Sequence, residues 1–90
     1  MYQEVLRIMR NPGADGDPIP MFLRALPDDI SFEVVDKGSD NNERISYVLL
    51  KISAYTEKEV IINREKIYNF SDSLGEIVIQ ESKKVDYVGK

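Results

Sequence analysis

Apolar residues recur along this 90-residue chain in two rhythms, and the change of rhythm divides it. In YQEVLRIMR, residues 2–10, Tyr2, Val5, Leu6 and Met9 fall at i, i+3, i+4 and i+7. That spacing puts them on one helical face, so residues 1–10 read as a short amphipathic helix. A helix this short is not stable alone in water and has to dock on something. Asn11, Pro12 and Gly13 end it and open the loop NPGADGDPIP over 11–20. Asp17 before Pro18 reads as an N-cap and first helical residue. Met21, Phe22, Ala25 and Leu26 then form a second apolar stripe of one or two turns, which Pro27 stops.

From residue 30 the period becomes two. Ile30, Phe32 and Val34 share one face while Ser31 and Glu33 take the other, as in a strand with one solvated side. DKGSDNNE, residues 36–43, reads as a loop. In RISYVLLKISAY, residues 44–55, the even positions Val48, Leu50, Ile52 and Ala54 are apolar, and so are Ile45, Tyr47 and Leu49 at odd ones. This predicts a central strand covered on both sides. At about 40 Å it would be twice the usual length, so it has to bend or bulge.

TEK supplies a turn and EVII, residues 59–62, a short buried strand. Over 63–75, Ile67, Phe70 and Leu74 fit helical spacing between Asn63 as cap and Gly75, although KIYNF also reads as a strand. The helix is preferred. EIVIQ, residues 76–80, is a strand and ESKK a turn. VDYV, residues 85–88, is an edge strand whose neighbours Lys83, Lys84 and Lys90 discourage edge pairing.

The elements predict a single α+β domain over 1–90. Its order is an amphipathic helix over 1–10, a loop over 11–20, and a helical turn plus sheet over 21–90. The fold expected is therefore one or two short N-terminal helices followed by an antiparallel meander of four to five strands, able to curl into a small barrel, with one helix near 63–74. A helix followed by a five-strand meander resembles the outline of SH3-like and Sm-like barrels, without a motif of either, and an outline carries no function.

Composition narrows the chemistry. Hydrophobic residues at 42% and charged residues at 31% are those of a globular chain. There is no cysteine and no histidine, which removes thiolate nucleophiles, disulfides, the usual zinc ligands and the side chain that titrates near neutrality. No apolar run near 18 residues and no signal peptide is present, so the chain is expected to be cytoplasmic and off the membrane. The net charge is −4, and residues 11–43 hold eight acids against Arg24 and Lys37, a local balance of −6. An acidic front half repels nucleic-acid phosphates and attracts basic surfaces.

The loop's Asp15 and Asp17 invite a calcium reading, which fails. An EF-hand counted from Asp15 needs an oxygen ligand fifth, glycine sixth and glutamate twelfth, where this chain has Ile19, Pro20 and Leu26. Asp36, Asp40, Asn41, Asn42 and Glu43 are explained by turn chemistry. Asp28 and Asp29 are sequence neighbours rather than carboxylates converging across a cleft. Neither G-x-S-x-G nor S-x-x-K occurs, nor a glycine-rich phosphate loop. No catalytic residue, cofactor or metal is therefore expected.

The expected function is that of a small non-catalytic partner-binding protein, an accessory, inhibitor or adaptor. Its acidic N-terminal half would dock on a basic surface of a larger protein through Asp15, Asp17, Asp28 and Asp29, with Met21 and Phe22 as apolar anchors. Host-takeover and anti-defence inhibitors that imitate phosphates are a special case, for which −4 is modest. The alternative is a small β-barrel binding RNA or single-stranded DNA through Tyr47, Tyr55, Lys51 and Arg64, residue types that stack bases and contact phosphates. A small enzyme or toxin built on carboxylates and lysines is a third reading, and a homo-oligomer joined through the VDYV edge a fourth.

Overall fold

The computed structural model describes residues 1–11, 13, 16–39, 44–74 and 76–87, with the backbone alone at 74 and 81–87. Its elements run β1 (Tyr2–Arg10), α1 (Pro18–Ala25), β2 (Ser31–Ser39), β3 (Ile45–Ala54), α2 (Glu57–Leu74) and β4 (Ile77–Tyr87). The sheet has four strands in the order β2-β3-β1-β4, and each neighbouring pair is antiparallel. An order β-α-β-β-α-β with β1 between β3 and β4 is the ferredoxin-like, split βαβ arrangement.

The fold is α+β with an antiparallel sheet, as expected, but it is neither a meander nor a closed barrel. Only β2 and β3 are joined as a hairpin. The other connections carry the helices, which pack on β1, β3 and β4 from one side.

The first helix expected from the sequence is β1. Its Leu6 and Ile8 point into the core while Val5 and Met9 lie half-buried on the other side. A central strand with apolar residues on both faces shows i, i+3, i+4 coincidences that imitate a helix. Pairing with β3 along one edge and β4 along the other satisfies its backbone, which a nine-residue helix could not do so fully.

Helix α1 forms where expected. Pro18 and Pro20 sit in the first turn, where their missing N–H groups cost nothing, and Gly16 turns the chain with φ +77°. Asp17 holds the N-cap position, but its side chain makes no capping bond. Leu26 ends the helix in extended geometry, φ −63° and ψ 144°, the conformation that Pro27 imposes on its predecessor.

Helix α2 absorbs both the EVII strand and the 63–74 helix of the sequence reading. Its start is set by Thr56, whose hydroxyl oxygen accepts the Glu59 N–H at 3.1 Å, while the hydroxyl itself donates to the Glu59 carboxylate at 3.2 Å. This is a relative of the capping box, written T-E-K-E in the sequence where a turn was expected. Val60, Arg64, Ile67 and Ser71 line the inward side, leaving Ile61 and Ile62 exposed. Likewise ESKK is no turn, because pairing with β1 carries β4 through it. VDYV therefore continues β4, a true edge strand, with Val88 outside the described residues.

The core gathers Leu6, Ile8, Val48, Leu50 and Ile52 from the sheet with Ile19 and Phe22 from α1 and Val60 and Ile67 from α2. Phe22 and Phe70 stack at 5.4 Å between the two helices. Glu4, paired with Ile52 in the sheet, is buried among them, and Arg64 reaches in from α2 to hold both carboxylate oxygens, at 3.1 and 3.4 Å. β3 is central, as expected, but among the described residues only this face of it is covered.

The uncovered face of the sheet as a candidate functional site

With both helices on one side, the odd positions of β1 and β3 build a second face that no layer covers among the described residues. Register sets its map. Val5 lies beside Lys51, Arg7 beside Leu49 and Met9 beside Tyr47. β4 adds Val78 next to Met9 and Gln80 next to Arg7, and β2 adds Glu33 next to Lys51. Val5, Met9, Tyr47 and Leu49 are half-buried by their own neighbours, and Val78 is exposed.

At the centre stands Arg7, an exposed residue whose guanidinium carbon lies 4.6 Å from the centroid of the Tyr47 ring. The ring is held in turn against Gly38 of β2, where any Cβ would run into it. A glycine in a strand covered by a cross-strand aromatic is a recognised way to pin register and keep a ring flat on the sheet. Lys51 is already matched, at 3.2 Å from the Glu33 carboxylate.

The acids singled out in the sequence do not converge. Asp17 sits before α1, and Asp28 and Asp29 follow it, so the helix of eight residues, about 12 Å, separates them. Asp28 is exposed, and Asp29 pairs with Lys66 of α2 at 3.0 Å. One carboxylate oxygen of Asp17 is buried without a hydrogen-bond partner. Asp15 lies outside the described residues. Asp36 turns back on its own strand, accepting the Lys37 N–H at 2.9 Å.

Met21 is 66% exposed on the rim of a shallow apolar depression with Pro18, Ala25 and Phe70. Phe22, expected as a second anchor, is wholly buried in the core and unavailable to a partner. The excess of −6 along the sequence is thus partly answered in space by Lys51 and Lys66, which come from the later half.

Of the residues expected to meet nucleic acid, Tyr47 and Lys51 share the uncovered face and Tyr55 stands exposed just beyond the end of β3. Arg64 is on the far side, bound to Glu4. Among the described residues no cluster of three or more metal-ligating side chains occurs, and no helix is long and apolar enough to cross a membrane.

Sequence reasoning missed Arg7, Val5 and Met9 as surface residues because it placed them on a helix. The signal was there in the two interleaved apolar sets, Leu6 and Ile8 against Val5 and Met9. No known family model matches the chain, and no curated protein sequence is significantly similar to it.

Proposed function

We propose that this chain is a non-catalytic partner-binding module that acts through the uncovered face of its sheet. The observation that supports it is the cluster of half-buried apolar residues, Val5, Met9 and Leu49, around the Arg7–Tyr47 stack, on a sheet whose second layer, among the described residues, lies on the other side. Arginine and tyrosine are the residue types that concentrate binding energy in contacts between proteins, and a pre-positioned ring loses little freedom on binding. Partner binding is retained from the sequence, with its surface moved from the acids to the sheet.

A single-stranded nucleic acid on the same face is the second reading, favoured by the Arg7–Tyr47 stack with Lys51 nearby. Among the residues whose side chains are described, two cations, one of them tied to Glu33, give it little grip on a phosphate backbone.

The test is a comparison of three immobilised forms in lysate of the source cell: the natural chain, Leu49→Asp, and Asp28→Lys combined with Asp29→Lys. The expected result is a protein retained by the natural and charge-reversed forms and lost by Leu49→Asp. The opposite pattern would return the contact to the acidic surface. Retention of labelled oligonucleotide at tens of micromolar would favour the second reading.

A further inference from the structure

Resting on that reading of the face, we infer that its occupant is a second copy of this chain, joined face to face about a two-fold axis. Three observations carry this. The first is charge. Among the residues whose side chains are described, the face holds Arg7 and Lys51 against Glu33 and Asp36, a balance of zero. A neutral face neither repels its own copy nor selects a basic or an acidic stranger.

The second is self-complementarity. Place the axis parallel to the strands, midway between β1 and β3, and each row meets its own reverse. Arg7 of one copy then lies over Leu49 of the other, Met9 over Tyr47 and Val5 over the Lys51 stem, because these residues are register partners across the axis. Each contact occurs twice, as an isologous interface requires. Methionine sulfur on an aromatic ring and an arginine stem on leucine are both favourable pairings. An axis perpendicular to the strands through Arg7 would instead stack Arg7 on itself.

The third is area. Four strands about 4.8 Å apart, each rising about 30 Å, present roughly 600 Å² per copy, hence roughly 1,200 Å² in a pair, just past the scale at which specific contacts become stable. Aligned packing of two twisted sheets about 10 Å apart is a common solution for such faces. The β2 edge is the poorer route to a pair. Its bulge at Val35 breaks the ladder, and Asp36 occupies an N–H of its own strand.

Sedimentation equilibrium of the full chain from 1 to 200 µM tests this, with native mass spectrometry for stoichiometry. The natural chain is expected as a dimer, Leu49→Asp as a monomer with dissociation at least 100-fold easier, and Val35→Lys on the β2 edge as an unchanged dimer. Should Leu49→Asp fail to fold, Arg7→Glu replaces an exposed side chain and shifts the charge of each face by −2. It is expected to weaken the dimer at least tenfold, more at low salt than at high. A natural chain that stays monomeric at 200 µM overturns the second copy, while the lysate comparison still decides whether the face binds another protein. A dimer untouched by Leu49→Asp and Arg7→Glu overturns it as well, whether Val35→Lys breaks it, which places the contact on the β2 edge, or leaves it intact, which places it on the β4 edge. A lysate partner indifferent to Leu49→Asp would then remove the reading beneath it.

Discussion

Leu49 and Leu50 are neighbours in β3 and the same residue type, yet they belong to different regions of the molecule. Leu50 is wholly buried beneath the helices and pairs with Leu6, whereas Leu49 is half-buried on the bare side and pairs with Arg7. The strand supplies apolar residues to both sides, and only the path of the two connections decides which side is covered. The covered face is committed to stability, since a domain needs one closed core between two layers. The other face keeps apolar surface that the isolated domain does not use. The same contrast holds for the two arginines that serve these faces: Arg64 neutralises a buried acid, and Arg7 lies on a ring in contact with solvent.

Breaking the covered side is expected to have the largest effect. Arg64→Ala leaves Glu4 a buried charge without its arginine and is predicted to lower stability by about 3–5 kcal/mol, read from urea unfolding. Replacing both partners, Glu4→Leu with Arg64→Met, is predicted to recover most of that loss, because the burial cost disappears with the charges. Arg7→Ala on the same strand as Glu4 is predicted to change stability by less than about 1 kcal/mol. Equal losses at Arg7 and Arg64 would mean that the two faces are not the different environments described.

The leucine pair sharpens the same contrast with the chemistry held constant. Leu50→Ala opens a cavity in the core and is predicted to cost about 2–5 kcal/mol, whereas Leu49→Ala removes atoms already near water and is predicted to cost about 1 kcal/mol or less. The larger effect of Leu49→Ala is expected on association through the bare face.

Much of the fold is legible along the chain, and its failures have separate physical causes. β3, α1 and the start of β4 announce themselves through period-two apolar runs or a Pro-flanked helical stripe, signals local to each segment. β1 does not, because a strand paired on both edges and apolar on both sides carries no clean alternation, and its buried Glu4 is explained only by Arg64, 60 residues away. The EVII run misleads in the opposite sense. It looks like a buried strand until Thr56 and Glu59 are recognised as a helix start. The candidate site was half visible. Tyr47, Lys51 and the apolar odd side of β3 were read correctly as one face, but Arg7, Val5 and Met9 could join it only once β1 was a strand. The charge imbalance had the reverse fault, being plain in sequence and dispersed in space.

Uncapping α2 weakens the layer that distinguishes the two sides. Thr56→Ala removes the acceptor for the Glu59 N–H and is predicted to cost about 1 kcal/mol. Thr56→Ser keeps the oxygen and is predicted to restore most of it. Amide exchange localises the effect: the first turn of α2 should exchange faster in Thr56→Ala while β1 and β3 keep their relative protection.

The smallest expected change in stability falls at Gly38, and there it separates the two faces most cleanly. A methyl group at this position would run into the Tyr47 ring, so Gly38→Ala has to swing the ring away, an off-rotamer cost of about 0.5–1.5 kcal/mol. Against this, replacing glycine in a strand by alanine recovers about 0.5–1 kcal/mol of chain entropy. The two nearly cancel, and unfolding should barely register the substitution. The bare face does register it, because Arg7 loses the ring on which it lies. Ring resonances of Tyr47 are therefore expected to shift by NMR while the core methyls of Leu50 and Ile52 stay in place. Any contact made through this face should weaken several-fold with unchanged stability. A displaced ring with unaltered binding would take Tyr47 out of the contact and leave the face to its aliphatic residues alone.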